Sequence, residues 1–353
     1  MKVIRIVVLL SCHFIFITAL YGQSDTLNRT DKFGKKYGSW AKYENGNLLW
    51  KAYFYNGEPV GAFIHYHPNK KVKDSLYYYP NSPRVDAVTY HTNGKKASEG
   101  VFINTIKDGK WLYYNNNGNL FAEEYFKNGK KHGIFKSYSL QDGTLLEEEP
   151  WENGVLHGEY REYFTTGQLR LKWNYKNGKI DGQYENYYID GSVWNKGQYV
   201  EGLRHGTWIC YSREGKELKV EEIDRQKITR TVLGFETPEQ WVKYDARAIA
   251  YFYNNPGENI FIQLRNGTKV MLTENNSLLA IFQLAGVELF IFLNENFLSS
   301  YEAIKKITPI DENEAEIIIR PVPPFSVHTY DNYYKDLKSL LDTSTPGEEE
   351  DDE

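Results

Sequence analysis

Sulfur is scarce in this chain, with two cysteines and two methionines among 353 residues. Cys12 sits in the apolar N-terminal segment, so once that segment is removed Cys210 stands alone and no internal disulfide can form. The fold must hold by packing. Also absent are Gly-x-Ser-x-Gly, His-Glu-x-x-His, a phosphate-cradling glycine loop and Cys-x-x-Cys. Their absence removes the readable signatures of a serine hydrolase, a zinc protease, a nucleotide enzyme and a dithiol redox site. No catalytic residue, metal ligand or cofactor is expected. A basic excess is missing too: 47 acids stand against 42 Lys and Arg. Nucleic acid, which would want cations gathered on one face, is not an expected partner.

Apolar runs long enough to span a membrane are missing beyond the N-terminus. The stretch 278–293 comes nearest, but Gln283 and Glu288 interrupt it. An acid near mid-span costs about 2.5 to 3.5 kcal/mol on insertion scales, so buried core is the expectation. At the N-terminus Lys2 and Arg5 precede an apolar stretch to Leu20, and Tyr21-Gly22-Gln23-Ser24-Asp25 then turns polar at once. That is the layout of a signal peptide, 1–22, cut after the small Gly22. An uncleaved anchor is the competing reading, and Leu9-Leu10-Ser11-Cys12 also has the look of a lipidation box. The apolar Phe14 to Leu20 after Cys12 argue against lipidation. With cleavage or with an anchor the remainder leaves the cytoplasm, for the periplasm, the outer envelope or the extracellular space. The far end, 344–353, is acidic and self-repelling, a disordered tail.

Tyrosine is abundant: 29 residues, beside 18 Phe and 8 Trp. A ring with a wet hydroxyl suits sheet faces that are covered without leaving water entirely. Many of these rings recur. Gly38 and Trp40 with Tyr43, Gly61 and Phe63 with Tyr66, Gly109 and Trp111 with Tyr114, and Gly133 and Phe135 with Tyr138 share one pattern. Gly158 and Tyr160 with Tyr163, Gly182 and Tyr184 with Tyr187, and Gly206 and Trp208 with Tyr211 continue it. A degenerate copy keeps Tyr90 but has Val85 and Ala87, and spacings run from 23 to 25 residues. About eight copies therefore fill 34–222.

Each copy carries two turn signals, such as Asn117-Gly118 and Asn128-Gly129. Asn-Gly supplies the positive φ of a tight hairpin turn, so a copy is two short antiparallel strands and the whole is a meander. Leu169, Leu171, Trp173 and Tyr175 lie two apart on one strand face. The repeat aromatic and its Tyr are three apart, which sends them to opposite faces unless a bulge intervenes. His132, His157 and His205 each precede a repeat glycine. Columns two strands apart are about 10 Å apart, too far for shared zinc ligation, and these read as turn-flanking residues. His65 and His67 share a strand face without a third ligand and read as surface or packing residues. Glu147, Glu148 and Glu149 read as a solvated strand edge.

Gly-x-Trp-x-x-Tyr, then Asn-Gly-x-Leu, then Tyr-x-Asn-Gly resembles the MORN-repeat family in its bacterial variant form, over more than half the chain. The resemblance implies an interaction or membrane-associated scaffold; some such bacterial proteins carry an antitoxin label, which an exported chain fits poorly. Gly109-Lys110-Trp111-Leu112-Tyr113-Tyr114 also resembles cell-wall-binding repeats, which are shorter and lack the second Asn-Gly.

Past Leu218 the period stops. Thr237-Pro238-Glu239-Gln240 has the form of a capping box, and Trp241, Tyr244, Ala248 and Phe252 follow at helical spacing to Asn254. Helices are expected there, at 295–307 and at 331–341. Strands are expected at 260–264, 269–273, 287–293 and 316–320. The fold class is thus mainly β: an elongated antiparallel meander of hairpin repeats, a linker at 23–33, and a small α+β domain at 223–343. The expected function is a non-catalytic scaffold binding a protein or envelope component, with ligand-contacting rings drawn from Trp40, Tyr43, Trp111, Tyr114, Tyr163, Tyr187, Trp208 and Tyr211. Two alternatives stand beside it. One is a cell-wall or glycan-binding module in which Trp40, Trp111 and Trp208 stack on sugars, with membrane-surface contact as a further candidate partner; the other is an enzyme in the C-terminal domain targeted by the repeats.

Overall fold

The computed structural model describes residues 27–254, 259–273 and 276–342, the last three by backbone alone. The segment 1–22 with Cys12, and the acidic tail 344–353, lie outside the described residues. The chain forms two compact units that meet in sequence at Thr105 and Ile106.

In the first unit Lys36–Glu44 pairs with Asn47–Tyr55, Gly61–Tyr66 with Val72–Tyr78, and Arg84–Tyr90 with Lys96–Ile103, all antiparallel. Each hairpin also pairs with the next. The expected linker is partly in the sheet, since Arg29–Thr30 pairs with Lys36 and Tyr37. The second unit repeats this meander from Ile106–Tyr114 and Leu120–Lys127 through Leu203–Tyr211 and Glu217–Asp224. It then runs past residue 222, where the repeat was expected to end, into Lys227–Glu236 and Trp241–Asp245.

In the second unit the two turns of a copy differ. At Asn128-Gly129, Asn153-Gly154 and Asn177-Gly178, as at Asn56-Gly57 in the first, both residues have positive φ, the mark of a two-residue turn whose twist matches the strands. At Asn117-Gly118 only the glycine does, and a wider turn is closed by Asn115 Oδ1 accepting from the backbone N–H of Asn117 and Asn119. Just before each repeat Tyr the register shifts. Ser137 faces Glu147 while Tyr138 faces Leu145, and Glu162 faces Leu171 while Tyr163 faces Leu169. The extra residue sits on the following strand, so the Tyr-bearing strand keeps its alternation and its two rings point to opposite faces.

The segment 238–254 is a correction to the expected helix. Thr237 Oγ1 does accept from Gln240 N–H at 3.1 Å, but Thr237 N–H also donates to the Gln240 carbonyl. The cap thus closes a turn between Lys227–Glu236 and Trp241–Asp245. Ile249–Asn254 is then the central strand of a five-stranded sheet. Its Ile249, Ala250, Tyr251, Phe252 and Tyr253 are buried on both faces, and a strand buried on both sides reads as a continuous apolar run with no period of its own. The expected helix at 295–307 is also overturned: Phe297–Ser300 and Ile304–Pro309 are strands joined by a single 3-10 turn. The helix at 331–341 is present as Asp331–Asp342. The expected strands appear as Ile260–Leu264, Lys269–Met271, Phe290–Asn294 and Glu314–Ile319. The apolar stretch 278–293 forms helix Leu278–Ala285 and the start of Phe290–Asn294, with Leu278, Ile281, Phe290 and Leu293 buried. Among the described residues no helix is long and apolar enough to cross a membrane.

Candidate binding surfaces

The odd spacing of rings in each copy builds two unlike faces. In the second unit one face is a chain of ring contacts: Phe126 to Phe135 at 5.7 Å, Phe135 to Trp151 at 5.9 Å, Tyr160 stacked on Trp173 at 4.4 Å, and Tyr184 to Trp208 at 5.2 Å. Each such pair adds roughly 0.5 to 1.5 kcal/mol beyond burial. Trp111 (3% exposed) and Trp208 (8% exposed) belong to this face. Trp208 lies flat on Gly197, where an added Cβ would come within 2.2 Å of the indole, and the Arg204 guanidinium covers its other side at 4.2 Å. In the first unit Trp40 likewise packs against Phe54 at 6.0 Å, lies under Lys36, and donates its indole N–H to the Arg29 carbonyl.

The opposite face carries the repeat tyrosines among paired charges. Tyr163 OH donates to Glu148 at 2.9 Å, and Glu148 also takes Lys136 at 2.9 Å and Arg161. Tyr187 OH donates to Glu185, which pairs with Lys172 at 2.8 Å. Tyr211 lies under Lys196 at 5.2 Å, and Tyr114 is half-buried. Within each unit the expected site residues therefore divide by face: Trp40 in the first and Trp111 and Trp208 in the second pack into that unit's ring-lined side, and Tyr43 in the first and Tyr114, Tyr163, Tyr187 and Tyr211 in the second lie on its other side. The run Glu147 to Glu149 is not a solvated edge. Tyr160 OH donates to Glu147 at 2.6 Å from one face, Glu148 serves the other, and Trp151 donates to Glu149.

This pairing fixes protonation. Burial alone would raise Glu148, but hydrogen bonds from Lys136 and Tyr163 bring its carboxyl below the ordinary value. Glu185 is lowered in the same way by Lys172 and Tyr187. The phenols move the other way. Burial, then the Glu123 charge, pushes Tyr138 up to about 12, and burial with a bond to Glu147 raises Tyr160. A raised phenol stabilises the fold fully below its unfolded value and loses that contribution as pH climbs through the folded value. A lowered carboxylate contributes above its unfolded value and is lost as pH falls through the folded one. Stability should therefore be flat through neutrality and fall between about pH 10 and 12. Circular dichroism should fall across that window, and Tyr138→Phe with Tyr160→Phe should flatten the fall; an alkaline transition unchanged in that variant would contradict this.

The first unit has the more open tyrosine face. Tyr37, Tyr43, Tyr53, Tyr55, Tyr77 and Tyr79 are each between 38% and 62% exposed, while Ala52, Phe54 and Ala87 behind them are buried. Ser39 faces Tyr53 across one strand pair and Ala62 faces Tyr77 across another. Between the rings lies a shallow depression of about 430 Å³ bordered by Ser39, Ala41, Tyr43, Lys51, Tyr53 and Ala62. A larger cleft of about 1070 Å³ in the second unit runs between the last repeats and helix Leu278–Ala285, with Trp194, Trp208 and Trp241 on its walls. Its cations are tied down: Arg204 to Glu221 at 2.8 Å, Lys219 to Glu221 at 3.0 Å and Lys216 to Glu236 at 2.7 Å. Trp194, Trp241 and the exposed Tyr53, Tyr55, Tyr77 and Tyr79 fall outside the repeat motif; only period-two parity on their strands could have flagged the tyrosines.

Among the described residues no group of three or more His, Cys, Asp or Glu side chains is placed to hold a metal ion. His205 lies 3.6 Å from Asp224, His132 takes a long contact from the Asn153 N–H, and His65 packs on Phe63 and meets Asp74 at 2.5 Å.

Residues 107–128 and 156–177 match the family model of the MORN repeat variant. No curated protein matches the chain. Among solved structures, the LytTr DNA-binding domain of a methyl-accepting/DNA response regulator from Bacillus cereus aligns at 16% identity. The alignment covers 31% of this chain and 95% of that one with a TM-score of 0.27, a likeness too slight to carry an argument.

Proposed function

We propose that this chain, which carries MORN-variant repeats, is an exported non-catalytic scaffold that binds a protein or cell-envelope component through its tyrosine-bearing sheet face. The observation that supports this most is the six exposed tyrosines on one side of the first unit, backed by a buried, ring-packed side. Exposed rings gathered on one face mark interaction surfaces on soluble proteins, and tyrosine supplies contact area at a small entropy cost. The ionisable groups favour binding over catalysis. The shifted carboxylates of the repeats are held below their ordinary values and the shifted phenols above theirs, whereas general acid-base chemistry wants a group poised near neutrality. Export rests on the N-terminal sequence, and the antitoxin label finds no support in it. The sugar-stacking alternative loses two of its three named platforms, because Trp111 and Trp208 are buried, while Trp40 is only partly so.

The test is affinity capture from the native envelope with the chain lacking residues 1–22. One component should be retained in repeated trials. Tyr43→Ser with Tyr55→Ser should cut retention at least about tenfold, since central aromatic contacts cost more than 1 kcal/mol each when truncated. Capture of nothing, or capture indifferent to these tyrosines, would sink the proposal.

A further inference from the structure

The geometry points to an extended, uncharged polysaccharide of β-linked pyranose rings as the component that lies along the open face of the first unit; this rests on the binding role proposed above. The row Ser39, Tyr53, Ala62, Tyr77 runs across neighbouring strands, with cross-strand partners Ser39 and Tyr53, then Ala62 and Tyr77. Large rings thus stand on alternate strands, and small side chains leave the floor between them low. Strands lie about 4.8 Å apart, so the two tyrosines recur at roughly 10 Å. In an extended β-linked glycan alternate sugar rings present the same face, and their separation is close to that distance. A tyrosine offers such a chain both things it needs, an apolar ring for the C–H face and a hydroxyl for the sugar hydroxyls.

Charge separates this ligand from others. Of the described residues lining the depression, Lys51 is the only charged one. At the far end of the row Arg84 and Asp86 neutralise one another at 2.8 Å, and Asp86 also accepts from Tyr79 OH. An anionic lipid surface or a nucleic acid would require several free cations here. A protein partner would be expected to fill a pocket with an anchor, whereas this floor is shallow and its feature is a regular step.

The experiment is calorimetric titration of the chain lacking residues 1–22 with soluble β-linked glucose and N-acetylglucosamine oligomers of two, four and six rings. Affinity should rise with length and become measurable once an oligomer bridges Tyr53 and Tyr77. Tyr53→Ser with Tyr77→Ser should weaken binding of the longest oligomer at least tenfold, and its melting temperature should stay within a few degrees of the parent because both side chains are exposed. Parallel arms use vesicles of phosphatidylglycerol and envelope protein extract. No binding to any oligomer, or binding untouched by the double substitution, overturns the polysaccharide. If a protein is then captured and lost in the double variant, the binding face survives and only its ligand was wrong; if neither is held, both fall.

Discussion

Gly234→Ala should lower the melting temperature by roughly 6 to 12 °C, the consequence of about 3 kcal/mol lost in a folded unit of this size. Gly234 lies inside strand Lys227–Glu236 with ordinary backbone angles, so no left-handed conformation explains its being glycine. Space explains it. An added Cβ would sit 2.2 Å from the Glu217 carbonyl oxygen and 2.6 Å from the Trp241 ring. The indole can tilt, but the carbonyl belongs to strand Glu217–Asp224, and moving it breaks the pairing between Lys219 and Leu233. Nor can the strand slide, because Leu233 and Phe235 on either side are buried in the core with Phe252. Overpacking costs about 1 to 3 kcal/mol where side chains can adjust, and a fixed backbone atom puts this site at the upper end. Gly215→Ala is the control. It adds a methyl into open space at positive φ, so it should cost only the left-handed strain of about 1 to 2 kcal/mol. Thermal melts followed by tryptophan fluorescence compare the two, and a Gly234→Ala melt no lower than that of Gly215→Ala would refute the steric account.

Gly234 also marks where the sequence stops being readable. The repeat glycines announce themselves, because Asn-Gly pairs and a 24-residue period have one physical explanation, positive φ at regularly placed turns. That part of the fold was legible down to its hairpins, and the odd three-residue step between Trp111 and Tyr114 or Tyr160 and Tyr163 foretold opposite faces. What parity cannot tell is which face is sealed. Tryptophan and tyrosine both read as ligand-contacting rings in a list of motifs, yet Trp208 is clamped between Gly197 and Arg204 while Tyr43 stands in solvent. Gly197 and Gly234 sit off the repeat register and look like noise until the rings lying on them are seen. The C-terminal misreading has a different cause. Trp241, Tyr244, Ala248 and Phe252 satisfy a helical period, but Ala248 and Phe252 fall in the unbroken apolar run from Ala248 to Tyr253, where other subsets would satisfy it as well. Burial of Ile249 to Tyr253 on both sides is a tertiary fact that the local sequence does not carry.

Trp111→Ala should cost about 3 to 5 kcal/mol, the range for removing a buried Trp or Phe side chain. Its ring is 3% exposed, stacks toward Tyr113 at 6.4 Å and lies beneath Lys107 at 4.6 Å. Removing it takes away one of the three rings beneath Lys107, leaving Tyr113 and Phe126, and opens a gap beside Tyr113, whose hydroxyl is held by Glu124 at 2.6 Å. Cation-π attraction to a desolvated indole alone is worth on the order of 1 to 2 kcal/mol. A loss of this size is a large part of the roughly 5 to 15 kcal/mol that holds a typical domain together. The variant should therefore show a lower denaturant midpoint and faster proteolysis, with weaker binding only in proportion to the fraction unfolded. Trp111→Phe keeps a ring over the gap and should recover more than half of the stability. The comparison is decisive because a ligand-stacking tryptophan behaves in the opposite manner: truncation would leave the denaturation curve in place and remove the affinity. Finding that pattern at Trp111 would mean that the ring-packed face opens to solvent and that the tyrosine side is not the binding side.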